Sequence, residues 1–159
     1  MLTAILLGAA VPSLRVLALD ARRTADVNAL VSAVQLARSE AAKRAATVTL
    51  CPSADGVSCR VGASVFDQGW IVYADPDERA NPVSAAAILS VYQTAAAVTI
   101  RANRERFRFR PNYRRGTNGT IRFCDRRGSA AARAVIVSYT GRPRVAATTA
   151  SGEPLPCPP

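Results

Sequence analysis

Histidine is absent from this 159-residue chain, and lysine occurs once, at Lys43. Without imidazole the chain lacks the side chain that most often serves as a metal ligand or as a base near neutral pH. The four cysteines, Cys51, Cys59, Cys124 and Cys157, follow no zinc spacing. No Gly-rich phosphate loop and no strained nucleophile turn occurs. Ser39 and Lys43, four apart on one helix face, form an ordinary surface pair. These absences remove metal sites, cofactors, catalysis and a small-molecule substrate from the expectation. Long apolar runs are missing too. Met1–Val11 (MLTAILLGAAV) carries no charged side chain, but it falls short of the roughly 20 residues of a membrane span and has no basic stretch ahead of it. Acids are scarce after residue 100. Only Glu105, Asp125 and Glu153 stand there against 13 arginines, whereas residues 1–100 hold eight basic and eight acidic side chains. The whole net charge of +10 therefore sits in the C-terminal part, which predicts an anionic partner.

What is present begins with a stretch free of glycine from Pro12 to about Ala46. Its single proline stands first, where a helix tolerates it. Val27, Leu30, Val31, Val34, Ala37 and Ala41 recur at spacings of three and four, an apolar stripe of helical period. Glu40 precedes Lys43 and Arg44 in the order that favours helix ion pairs. A helix of about 35 residues is roughly 50 Å long, more than a head of this size needs. The second half is expected in the core and the first half is expected to protrude. Met1–Val11 then reads as the downstream half of a membrane helix whose upstream part is missing, with Asp20, Arg22 and Arg23 beyond the bilayer.

Short strand candidates follow. They are Thr47–Cys51, Gly69–Ala74, Ile88–Tyr92, Val98–Arg101, the FRFR run Phe107–Arg110, Thr120–Cys124, Arg133–Tyr139 and Arg142–Ala146. Phe107 and Phe109 alternate with Arg106, Arg108 and Arg110, and Ile121 and Phe123 alternate with Arg122, the period of half-buried strands. Thr140–Gly141 offers a two-residue turn, and Pro143 marks the last strand as an edge. Residues 147–159 hold four prolines and are expected to be irregular. One long helix followed by an antiparallel sheet is an α+β fold, in which the helix hides its stripe on the sheet. The four cysteines permit three pairings. Cys51 and Cys59 flank the loop PSADGVS and can close it, which leaves Cys124 and Cys157 to clamp the tail. Two such bridges point to an oxidising compartment.

The order of blocks resembles a known family. LGAAVPSLRVL is similar to the end of a pilin membrane helix. VSAVQLARSEAAKRAATVTLCPS resembles a helix passing into a VTLCPS strand, QGWIVYAD resembles the block after it, and GTIRFCDRRG with ARAVIVSYTGRPRV resembles the last two. Together these residues, roughly 4–146, resemble the minor pilin and pseudopilin branch of the type IV pilins, that of FimT, FimU and GspH. The resemblance implies a type IV pilin-like fold, a long N-terminal helix packed on an antiparallel β-sheet head. It implies residues 1–25 as membrane-helix end and stem, 26–147 as head and 148–159 as a tail tethered by Cys157. It implies a single-pass inner-membrane protein with a periplasmic head, trimmed by a prepilin peptidase, incorporated into a pilus at the cell surface, and partnered by other major and minor pilins through its N-terminal helix.

In FimT-like members a Gly-Arg-x-Arg motif is associated with DNA binding during natural transformation, and here Gly141, Arg142 and Arg144 match it. The resemblance implies non-sequence-specific binding of double-stranded DNA by Arg142 and Arg144. The FRFR strand adds Arg106, Arg108 and Arg110 to the expected basic face, extended by Arg122, Arg126 and Arg127. The alternative is a structural minor pilin, or a type II secretion pseudopilin, that primes or caps a filament without binding DNA.

Overall fold

The computed structural model describes residues 2–62, 64–95, 97–111 and 116–157, with side chains along the first helix from Leu14 onward. That helix, α1, runs Leu2–Arg44 over 43 residues. It joins the helical segment expected before Pro12 to the stretch after it, so Pro12 lies inside one continuous helix. The lost hydrogen bond and ring clash of an internal proline cost about 3 kcal/mol. The Leu- and Ala-rich residues before Pro12 favour helix strongly enough to continue it upstream. At the other end the chain stops sharply. Ala45 adopts φ 51°, and the Ala46 N–H reaches back to the Ala41 carbonyl, a left-handed cap that aims Thr47 straight into the first strand.

Eight strands follow. They are β1 Val48–Pro52, β2 Gly69–Ala74, β3 Ile88–Gln93, β4 Thr99–Ala102, β5 Phe107–Phe109, β6 Gly119–Cys124, β7 Arg133–Val137 and β8 Pro143–Ala146. All eight expected segments are strands within a residue or two. The fold class is α+β, as read, with the helix packed on antiparallel β-structure. The expected single sheet is two, ordered β3-β2-β1-β5 and β4-β6-β7-β8. Pro143 lies in the edge strand β8, where its missing N–H is tolerated.

Both sheets pack on one seam of α1. Val27, Leu30, Ala33, Val34, Ala37 and Ala41 join a single cluster with Leu50, Trp70, Val72, Phe107 and Phe109 of the first sheet and Ile100, Ile121, Phe123, Val135 and Val137 of the second. Leu30 and Val34 are fully buried, each such burial contributing about 1.5–3 kcal/mol. The outer faces are covered as well. Ile71 and Tyr73 point away from the helix and pack with Cys51 and Cys59. Ala134 and Ile136 pack with Cys124, Leu155 and Cys157. The disulfides Cys51–Cys59 and Cys124–Cys157 therefore each fasten a segment over one sheet's outer side. Two covered faces explain why β1, β2 and β7 read as apolar runs rather than alternations.

The expected membrane anchor needs correction. No helix among the described residues is long and apolar enough to cross a membrane. The physical reason is the placement of charge: Arg15, Asp20, Arg22 and Arg23 interrupt α1 soon after its apolar start, and a span needs about 20 predominantly apolar residues. The single-pass inner-membrane placement and the membrane as a partner are withdrawn on that ground.

One buried polar contact sets the helix on the first sheet. The Tyr92 hydroxyl donates to Asp26 at 2.9 Å, and the Tyr92 ring stacks on Trp70 at 4.5 Å. Burial raises the Asp26 carboxyl above its ordinary value, opposed by the Tyr92 hydrogen bond. Burial and the same bond push the Tyr92 phenol up to about 12. A carboxyl raised on folding binds its proton more tightly in the folded state, so its contribution to stability falls as pH rises from the unfolded to the folded pKa. Asp26→Asn keeps an acceptor for Tyr92 and removes this titration. Thermal melts at pH 4 and pH 7 are expected to show the variant gaining on the native chain at the higher pH. A melting difference that does not change with pH would show that Asp26 carries no such term.

Candidate interaction surfaces

The arginines expected on one basic face fall in three separate places. Arg106, Arg108 and Arg110 lie on and beside the edge strand β5 and face the turn after β2. Arg110 forms a bidentate pair with Glu78 at 2.8 and 2.9 Å. Arg108 donates to the Glu78 carbonyl at 2.9 Å and lies 3.8 Å from the buried Asp75. Arg106 reaches the Arg79 carbonyl at 3.4 Å. The Glu78 carboxyl is held below its usual range, chiefly by Arg110. This arginine row is thus largely neutralised by acids drawn from another loop, a pairing that strand periodicity does not reveal.

Arg122 belongs to the other sheet and donates to the Pro156 carbonyl at 2.9 Å, holding the tail. Arg127, in the turn after β6, closes an ion cluster against α1. It bonds Asp125 at 2.6 Å and Asp20 at 2.8 Å. The buried Arg23 joins from the helix, 2.7 Å from Asp20 and 3.6 Å from Asp125, and also donates to the Ala131 carbonyl. Hydrogen bonds from Arg127 are the main reason both carboxyls sit below their ordinary pKa, and the two carboxyls raise that of Arg127. Removing one partner would leave a desolvated charge, so the cluster reads as a brace between helix and sheet. Its neighbour Arg126 is exposed and faces a different groove.

Arg142 and Arg144 stand at the opposite end of the second sheet. Both are exposed, and neither forms an ion pair among the described residues. The turn before them is longer than the expected Thr140–Gly141 pair. Ser138 N–H bonds the Arg142 carbonyl, and Gly141 N–H bonds the Ser138 carbonyl, which leaves three residues in the loop. Gly141 has φ 72°, and a Cβ there would lie 2.9 Å from both Arg38 and Phe109. Only glycine fits such a close approach. Tyr139, in the same loop, is 60% exposed. Tyr113, Arg114 and Arg115 lie outside the described residues. Arg127 meets the helix near Arg23 and Gly141 meets it at Arg38, so the two turns sit about 22 Å apart along α1.

The sequence reading missed one gathering. Arg15 and Arg22, both exposed on α1, line a cavity of about 370 Å³ together with Arg126. The signal was available: a spacing of seven puts two helix side chains on one face. The last feature lies on the same arm. Leu14, Val16 and Leu17 are 62%, 45% and 65% exposed.

Fold and surfaces together describe a helix-and-sheet head with an apolar helical arm, and no cluster of metal-ligating side chains occurs among the described residues. Comparison with known families agrees with that class. Residues 26–141 match the family described as Type II transport protein GspH, and the chain belongs to that family of pilin-like, non-enzymatic proteins. Two crystal structures of the type IV minor pilin FimU of Pseudomonas aeruginosa strain PAO1 share the fold. One is 17% identical with a TM-score of 0.57, covering 77% of this chain and 91% of its own. The other is 19% identical with a TM-score of 0.56, covering 77% and 87%. The search of curated proteins found no match.

Proposed function

We propose that this chain is a filament subunit, a minor pilin or pseudopilin that assembles with other pilin-like subunits through α1. In this reading residues 1–25 are the assembly arm, 26–147 the head and 148–159 a tethered tail. The observation that carries it is the apolar arm. Leu14 and Leu17 are large, apolar and more than 60% exposed, and neither belongs to a core cluster. Covering them on a neighbouring helix contributes about 1.5–3 kcal/mol per side chain. Membership of the GspH family and the shared fold of FimU support the same reading. Leu14→Asp with Leu17→Asp is expected to cut recovery of the chain in sheared filaments by about tenfold or more, with the melting temperature of the purified chain unchanged. Normal recovery would contradict the reading.

A second reading, DNA binding, is favoured by one observation: Arg142 and Arg144 are exposed and free of ion pairs among the described residues. Two guanidinium groups on one strand can grip successive phosphates without reading bases. Arg142→Gln with Arg144→Gln is then expected to weaken binding of mixed-sequence duplex DNA and to lower its salt slope by about two, measured by fluorescence anisotropy. An unchanged affinity would remove both residues from any such site.

A further inference from the structure

We propose that the groove formed by Arg15, Arg22 and Arg126 receives an acidic side chain from the helix of a neighbouring pilin-like subunit. The inference rests on the filament-subunit reading and names the partner chemistry of its arm. Three arginines from two separate elements line one cavity together with Ala18, Leu19 and Ala97. None of the three has a hydrogen bond or ion pair among the described residues. The nearby carboxylates are already engaged: Asp20 and Asp125 bind Arg23 and Arg127. Three like charges are thus collected around one open space, beside carboxylates that are already taken. Such an arrangement is electrostatically unfavourable until an anion arrives.

The shape of the surroundings selects among anions. The other lining residues are aliphatic, so a glutamate seated there lays its methylenes against them and offers its carboxylate to the arginines, in the forked geometry that guanidinium favours. The groove also adjoins the apolar arm. Leu14 and Ala18 are one helical turn apart, and Arg22 follows one turn later on nearly the same face. A helix lying on Leu14 and Ala18 places its flank beside Arg15 and Arg22, as charged flanking positions sit beside an apolar seam in paired helices. Nucleic acid fits less well, because the exposed pair Arg142 and Arg144 lies at the far end of the sheet and cannot share one short run of phosphates with this groove.

The test uses the full chain in its own host, with recovery in sheared filaments as the readout. Arg22→Glu with Arg126→Glu is expected to cut recovery by about tenfold or more, and Arg22→Gln with Arg126→Gln by less. A single Glu→Lys or Asp→Lys substitution in a co-assembling pilin-like subunit is expected to restore the reversed chain. Melting of the purified variants checks that the head is intact. Normal recovery of the reversed chain would overturn the proposal. Loss that no acidic-to-lysine substitution restores would also overturn it, as would loss accompanied by abolished binding of inorganic phosphate, which would make the groove a phosphate site. The arm variant Leu14→Asp with Leu17→Asp separates the two levels. If it blocks recovery and the arginine reversal does not, the subunit reading stands and this partner chemistry falls.

Discussion

The seam of α1 from Val27 to Ala41 is the constraint on which the remaining structure depends. Two four-stranded sheets each have an apolar face to hide, and both faces join one cluster with the helix. The helix supplies a shared surface between them. Small residues at Ala33, Ala37 and Ala41 let strands approach closely, and Leu30 and Val34 fill the space between. Because a helix and a sheet each bury only one stripe or face, the sheets need further cover outside, and the disulfide-closed loop and the tethered tail provide it. The arm beyond this seam has no such neighbours. Leu14 and Leu17 on it stay exposed.

Charge is distributed according to the same geometry. The few acids of the chain are placed at joints. Asp20 and Asp125 brace helix to sheet through Arg23 and Arg127, and Asp75 and Glu78 hold the β5 arginines. Among the described residues, exposed arginines without a carboxylate partner include those of the Arg15–Arg22–Arg126 groove and the pair Arg142 and Arg144. The net charge suggested one broad basic face. The structure instead offers two small exposed basic positions, one beside Arg15 and Arg22 and one beside Arg38, roughly 24–35 Å apart along the helix.

Much of this was legible in the chain. The stripe Val27–Ala41 marked the buried half of α1, and the eight apolar or alternating segments marked the strands, because period and turn residues are local properties. Three cysteine pairings were open, and the structure forms the one in which Cys51 and Cys59 close the PSADGVS loop and Cys124 and Cys157 hold the tail. Other features depend on distant residues. The division into two sheets is set by which strands hydrogen-bond, and no segment of the sequence states it. The neutralisation of Arg108 and Arg110 comes from a loop some thirty residues away in sequence. The turn at Gly141 holds a third residue, and the close approach of Gly141 to Arg38 and Phe109 is a contact between distant parts of the chain. Pro12, read as the first residue of the long stretch, lies inside α1, which is continuous with the helical segment expected before it.

Amide hydrogen exchange along α1 tests the central account most directly. If the helix is the common wall of both sheets, amides from Val27 to Ala41 exchange only with global unfolding, as slowly as those of Leu50 in β1 and Val135 in β7. Amides from Leu14 to Ala21 exchange much faster. Exchange of the Val27–Ala41 segment at the rate of the arm, while β1 and β7 stay protected, would show that the sheets hold together without the helix and would contradict the account.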